Sequence, residues 1–191
     1  IDFFKFGFRW LEMTGTGVIS GNYLGPSFPD RAFLADRFSS WGWATNRETW
    51  AAFLSHEFSQ TPLSELGPKI KKLTRGTPLP YRYEYGRVQK NLQNLNSWAI
   101  PFDLFLRSQS IKALKPTMNQ IQNIGFDAQA THTWRGRSLS IPTRALANND
   151  LVVADSKTSV AIERQEAWSK LYRLAKESFS GEWPTRPALK W

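Results

Sequence analysis

Cysteine is absent from the 191 residues. That one absence removes a disulfide framework, a thiolate zinc site and a cysteine nucleophile, and it fits a reducing compartment. Histidine is nearly as scarce, with only His56 and His132, and no HExxH pair, P-loop or GxSxG elbow can be written from the chain. Long apolar runs are missing too. The longest candidate, residues 98–106, is broken by Pro101 and Asp103, far short of the ~20 residues that span a bilayer. No basic leader with an apolar stretch opens the sequence. The first methionine is Met13, inside a helical pattern, so the sequence is expected to start partway through a longer protein or after trimming. No internal repeat or low-complexity tract is present.

What remains is a globular composition, 41% hydrophobic and 21% charged, of a length that suits one domain with at most a small appendage. Nine tryptophans and a net charge of +9 stand out. The charge is uneven: residues 1–60 carry −1, residues 61–131 carry +6 and residues 132–191 carry +4. A basic surface draws polyanions, whether nucleic acid, anionic headgroups or phosphorylated small molecules. The densest cluster, Lys69-Ile70-Lys71-Lys72 with Arg75, reads first as a solvated helix face.

Hydrophobic spacing predicts a helix over residues 2–13, stopped by Gly15 and Gly17, and a short β-type run at Gly17–Ser20 that ends at Gly21-Asn22. Residues 30–38 suit a strand or a loop. Thr45 is the expected N-cap of a helix over 46–53. Residues 55–80, rich in proline and glycine, predict short helices and loops. Two further helices are expected over 81–95 and over 97–110, the second capped by Ser97 with Pro101 in its first turn. Alternation over 111–124 predicts strands around Pro116, and 126–156 reads as irregular chain. Residues 157–179 give the clearest amphipathic pattern, with Val160, Ile162, Trp168, Leu171, Leu174 and Ala175 on one side. Strands alternating with helices predict an α/β layered fold with a small sheet.

Three segments gather unusual side chains. Trp41-Gly42-Trp43-Ala44-Thr45-Asn46-Arg47, with Trp50 beyond, offers flat apolar faces with N–H donors that stack on sugars or bases. The alternative is core, with Trp43 and Trp50 on one helix face. Ser97-Trp98-Ala99-Ile100-Pro101-Phe102-Asp103 joins a helix N-terminus, suited to phosphate or carboxylate, to one carboxylate that otherwise reads as an ordinary surface group. Gln122-Asn123-Ile124-Gly125-Phe126-Asp127 leads to Thr131-His132-Thr133, and a lone histidine is more often hydrogen-bonded structure than a metal ligand.

Together and in this order, the three segments resemble the C-terminal half of bacterial family 2 glycosyltransferases, enzymes of the GT-A, nucleotide-diphospho-sugar transferase class. Asp2-Phe3-Phe4-Lys5-Phe6 and Val18-Ile19-Ser20-Gly21-Asn22 are similar to the helix and strand that follow the family's acidic motif. The similarity runs from residue 2 to about 133. It implies a partial GT-A-like fold over 1–133, lacking the N-terminal nucleotide-binding half, followed by an irregular segment and a helix over 134–191.

The resemblance also implies an activity: transfer of a sugar from a nucleotide-sugar donor to a cell-surface glycan or lipid-linked acceptor. Trp41, Trp43, Asn46, Arg47, Ser97, Trp98, Asn123 and Asp127 would line the acceptor side. Relatives place a carboxylate base where this chain has Ala99, so Asp103 becomes the nearest substitute. His132 would complete the shell of a divalent Mn or Mg. The other metal ligands are missing here, so no metal is expected to stay bound and transfer by this chain alone should be negligible. The expected setting is cytoplasmic, free or peripheral at the inner membrane beside anionic lipid. A homodimer would cover the truncated face, with the last helix as candidate for that packing. A non-catalytic module that binds anionic glycan or nucleic acid is the alternative, nucleic acid ranking second.

Overall fold

The computed structural model of the chain describes residues 2–14, 17–28, 31–73, 75, 82, 86, 97–121 and 152–179. The opening helix α1 (Asp2–Thr14) leads to strand β1 (Val18–Ser20), and β2 (Arg31–Ala35) and β3 (Trp43–Thr45) follow. Short helices come next: α2 (Arg47–Leu54), α3 (Glu57–Gln60), a 3₁₀ turn (Leu63–Glu65) and α4 (Gly67–Leu73). Helix α5 (Ala99–Ser108) then precedes β4 (Ala113–Pro116), β5 (Val152–Val153) and the long α6 (Ser156–Phe179). The expected helix over 81–95 lies mostly outside the described residues, as does most of the segment read as irregular. Val152–Val153 of that segment is a strand.

The five strands form one small mixed sheet in the order β3-β1-β4-β2-β5. β1 runs antiparallel to β3 and parallel to β4, while β2 runs antiparallel to β4 and parallel to β5. The fold is therefore α/β with a small mixed open sheet flanked by helices. Register sorts the side chains. Val18 pairs with Ala113, which pairs with Ala35, so these three share one face with Lys115 and its partner Phe33. Ile19 and Leu114 take the other face. There α1 lays Phe3 and Leu11 against Ile19 and Met118.

The first face meets the larger core, where Val18 and Ala113 pack with Phe102, Phe105 and Leu106 of α5, and with Phe53, Phe58 and Ile70 from the short helices. Each of these valine, leucine, isoleucine and phenylalanine side chains contributes about 1.5–3 kcal/mol on burial. Gly17, at φ +143°, sits so close to the Trp10 ring that a Cβ would lie 2.7 Å from it.

Two ends of helices depart from the sequence reading. α2 is capped not by Thr45 but by Asn46, whose side chain accepts the Thr49 N–H at 3.0 Å. Thr45 instead donates its hydroxyl to the Gly17 carbonyl at 2.6 Å, tying β3 to the start of β1. α5 begins at Ala99 with Trp98 at its N-cap and no side-chain cap bond, so Ser97 does not serve there. Its C-terminus closes as a Schellman motif: Ile111 N–H reaches the Leu106 carbonyl at 2.8 Å and Ser110 N–H reaches that of Arg107 at 3.1 Å. Ser110 takes the left-handed conformation, φ 55°, usually left to glycine.

α6 departs most. Its start at Ser156 is one residue before the expectation, with Asp155 accepting the Thr158 N–H at 2.8 Å as its cap. Those hydrogen bonds hold the Asp155 carboxyl below its usual range. The face turned to the sheet is only in part the expected apolar one, since Ile162 shares it with acidic and hydroxyl side chains. Val160 is exposed and Trp168 is 53% exposed, whereas Ser159, Glu163 and Glu166 are buried beside Ile162 and Ala167. The reason lies in β4. Lys115 is buried in the middle of the sheet, and Glu166 grips its Nζ with both oxygens at 2.6 Å. Glu166 also accepts the Leu24 N–H, and its charge adds to burial in pushing the Tyr23 phenol up.

Glu163 accepts the N–H groups of Asp36 and Arg37 at 3.1 and 3.2 Å. Burial nevertheless raises its carboxyl above the usual range, and the neighbouring Asp36 charge adds to this, against the pull of those bonds and of Lys115 and Arg107. No helix among the described residues is long and apolar enough to cross a membrane.

Ser110→Gly is expected to raise stability by about 0.5–1 kcal/mol by removing the left-handed penalty, read from urea unfolding; no change or a loss contradicts the Schellman reading. Glu163 also makes a pH prediction. A carboxyl raised on folding binds protons better in the native state, so its contribution falls as pH rises from the ordinary carboxylate range through the folded value. Glu163→Gln keeps the acceptor and removes the charge. The decline in stability between about pH 4.5 and neutrality should therefore be shallower in the variant, measured by urea midpoints across that window.

Candidate functional site

An aromatic cluster forms where β3, α2 and the start of α5 meet. Trp43 comes from a strand and Trp50 from the helix after it, so the two do not share a helix face as the sequence suggested. Their ring centroids are 5.8 Å apart. Trp98, distant in sequence, brings its ring to 4.8 Å from Trp43 and 6.0 Å from Trp50. Phe38 and Phe102 fill the space beneath, each edge-on to a neighbour, at 5.2 Å from one another. Edge-to-face geometry of this kind adds about 0.5–1.5 kcal/mol per pair beyond burial. Trp43 and Trp50 pack on the core, while Trp98 stays 44% exposed. The cluster thus has an apolar foot and an open rim.

Two hollows flank the β3–α2 junction. One, of about 390 Å³, is lined by Trp43, Ala44, Thr45, Asn46, Arg47 and Trp50. The other, of about 480 Å³, lies toward α1 and is lined by Phe8, Leu11, Glu12, Thr45, Asn46 and Glu48. Arg47 is exposed at the first position of α2. Asn46 Oδ1 accepts the Thr49 N–H as the cap of α2, which fixes its side chain in the wall of both hollows. Gly42, before Trp43, has φ +54°. Its carbonyl accepts the Gly21 N–H at 2.7 Å, and a Cβ on it would strike Ile121 at 2.0 Å. Trp41 is half-buried, its N–H 3.5 Å from Ser39 Oγ.

Asp103 is not the surface carboxylate that composition favours. It is buried on α5, accepts the Phe38 N–H at 2.8 Å with one oxygen and faces Arg107 Nε at 3.3 Å with the other. Burial raises its carboxyl, and Arg107 and Arg37 oppose that rise. Its bonds fasten the Phe38 backbone to α5, which sets the floor of the aromatic cluster. Ser97 is half-buried just before α5.

The structure therefore brings Trp43, Asn46, Arg47 and Trp98 into one neighbourhood, with Asp103 behind it. Asn123, Asp127 and His132 lie outside the described residues. Among the described residues no three His, Asp or Glu side chains gather as a metal site. The sequence reading left Ala44 and Thr45 out of the site and Lys115 with Glu163 and Glu166 out of the architecture. A lysine inside an otherwise apolar strand was the available signal for the latter. No family model, curated protein or solved structure matches this chain.

Asn46→Ala should cost about 1 kcal/mol in urea unfolding and Asn46→Ser much less, since serine also caps. Equal losses would place the asparagine's role elsewhere than the cap.

Proposed function

We infer that this chain is the acceptor-side part of a glycosyltransferase of the GT-A class, binding a glycan at the tryptophan-rimmed surface and inactive in transfer by itself. The observation that carries the reading is the meeting of Trp43, Trp50 and Trp98. Two of the motifs that resemble family 2 glycosyltransferases, the one with Trp43 and Trp50 and the one with Trp98, are far apart in sequence, yet their rings lie within 4.8–6.0 Å of one another. An exposed indole beside an apolar hollow suits the C–H face of a sugar ring, whose burial removes apolar surface from water. Arg47 on the hollow's edge suits a phosphate or an acidic sugar. The small mixed α/β sheet is compatible with part of a GT-A domain, and a nucleotide-sugar and a divalent metal would belong to the other part. In this reading the protein works on the cytoplasmic side, near the lipids that carry such acceptors.

One observation favours a second reading, a non-catalytic module for anionic glycan. Asp103, the only carboxylate put forward as base, is buried and bonded on both oxygens, which leaves it a positioning part.

Titration with acidic and neutral oligosaccharides, followed by tryptophan fluorescence, tests both. Saturable binding that weakens about tenfold in Trp98→Ala, some 1.4 kcal/mol, supports the acceptor surface. Binding restricted to acidic glycans, with a steep salt dependence and loss in Arg47→Ala, selects the second reading. No response to any oligosaccharide in the panel defeats both.

A further inference from the structure

The hollow of about 480 Å³ on the α1 side of the β3–α2 junction has no part in the tryptophan rim. Its size falls among small-molecule sites, which run from roughly 300 to 1,000 Å³. Its walls are tied together by hydrogen bonds. Thr45 donates its hydroxyl to the Gly17 carbonyl at 2.6 Å, and the Gly17 N–H reaches Thr49 Oγ1 at 3.2 Å. The chain just after α1 is thus bound at two points, to β3 and to α2. The concavity is preformed.

The lining is apolar with two polar points. Phe8 and Glu12 stand one turn apart on α1, at i and i+4, so they share a face of that helix. Phe8 keeps 49% of its surface exposed. α2 adds Glu48 from its first turn. Both charged side chains of the lining are therefore acidic, in a chain of net charge +9. Cations stand close in sequence, Arg9 one turn before Glu12 and Arg47 beside Glu48. Neither carboxylate has an ion pair among the described residues. A half-exposed phenyl ring and two unneutralised carboxylates attract the same kind of charge. A hard metal ion wants about six or more oxygen ligands, and here Phe8 and Leu11 take up wall that such ligands would need. A cation that carries carbon surface uses both parts of the lining.

We propose that this hollow is a binding site for an organic ammonium, a protonated amine on an apolar body. The amine lies against Glu12 and Glu48, and the carbon body covers Phe8 and Leu11. The site stands whether or not the tryptophan rim binds a glycan.

Calorimetric titration of the full chain with putrescine and with glucosamine, beside N-acetylglucosamine and Mg²⁺, tests this. At least one of the two amines should bind saturably at one site. N-acetylglucosamine, which lacks the charge, and Mg²⁺ should bind about tenfold more weakly or not at all. Binding of putrescine alone identifies an alkyl amine as ligand, and binding of glucosamine an amino sugar. Glu12→Gln/Glu48→Gln should weaken the amine about tenfold, some 1.4 kcal/mol. Glu65→Gln, an exposed carboxylate on the 3₁₀ turn, should leave binding as it is. If the double variant does not fold, NMR of the unmodified chain replaces it, and amide shifts on titration should centre on Phe8, Glu12 and Glu48. The site is overturned by no saturable amine binding, by undiminished binding in the double variant, by an equal loss in Glu65→Gln, by equal or tighter binding of N-acetylglucosamine or Mg²⁺, or by shifts centred elsewhere.

Discussion

A charged lysine in the middle of a buried strand constrains everything packed around it. β4 is buried at all four positions, and Lys115 places an ammonium where water does not reach. Such a charge costs several kcal/mol unless it is matched. Glu166 matches it with both oxygens, and Phe33 lies below the same ammonium at 5.9 Å. Because the match comes from α6, the helix has one position along the sheet in which it can lie. That position puts Glu163 and Ser159 opposite the outward amides of β2. Packing alone would tolerate several registers of a helix on a sheet. The ion pair selects one, and the edge bonds follow from it.

On the other side of the sheet's centre the organising material is aromatic. Phe38, Trp43, Trp50, Phe53, Trp98, Phe102 and Phe105 touch in a chain of tilted and edge-on rings. Asp103 joins the two halves of the molecule here. It lies on α5, inside the aromatic core, and holds the Phe38 backbone just past β2. A carboxylate that might be sought for chemistry is thus committed to geometry. The tryptophan rim owes its position to that commitment.

How much of this was legible in the sequence depends on which force set each element. α1 and β1 were read within a residue, because a 3.6 period ending in glycine and a β-branched run are local signals. The caps were misread by one position where two candidates sat side by side: Thr45 and Asn46 are both good caps, and only the sheet, by claiming Thr45, decides. For α6 the span was clear and the face was read only in part: Ile162 is buried, but Val160 and Trp168 are exposed. Periodicity assumes that the buried face is apolar, whereas Lys115, forty-one positions before α6 begins, demanded acid there. For the site, the motifs singled out Trp43 and Trp98, but nothing local told that their rings would meet. His132, Asn123 and Asp127 fall outside the described residues.

The edge bonds of β2 also have a meaning in time. Asp36 and Glu163 are 127 positions apart. At ribosomal rates of 5–20 residues per second, roughly 6–25 s separate the synthesis of the two. Through that interval the nascent chain carries β2 with its seal not yet made. The closing of the β2 edge is therefore among the last contacts that synthesis allows this chain to make.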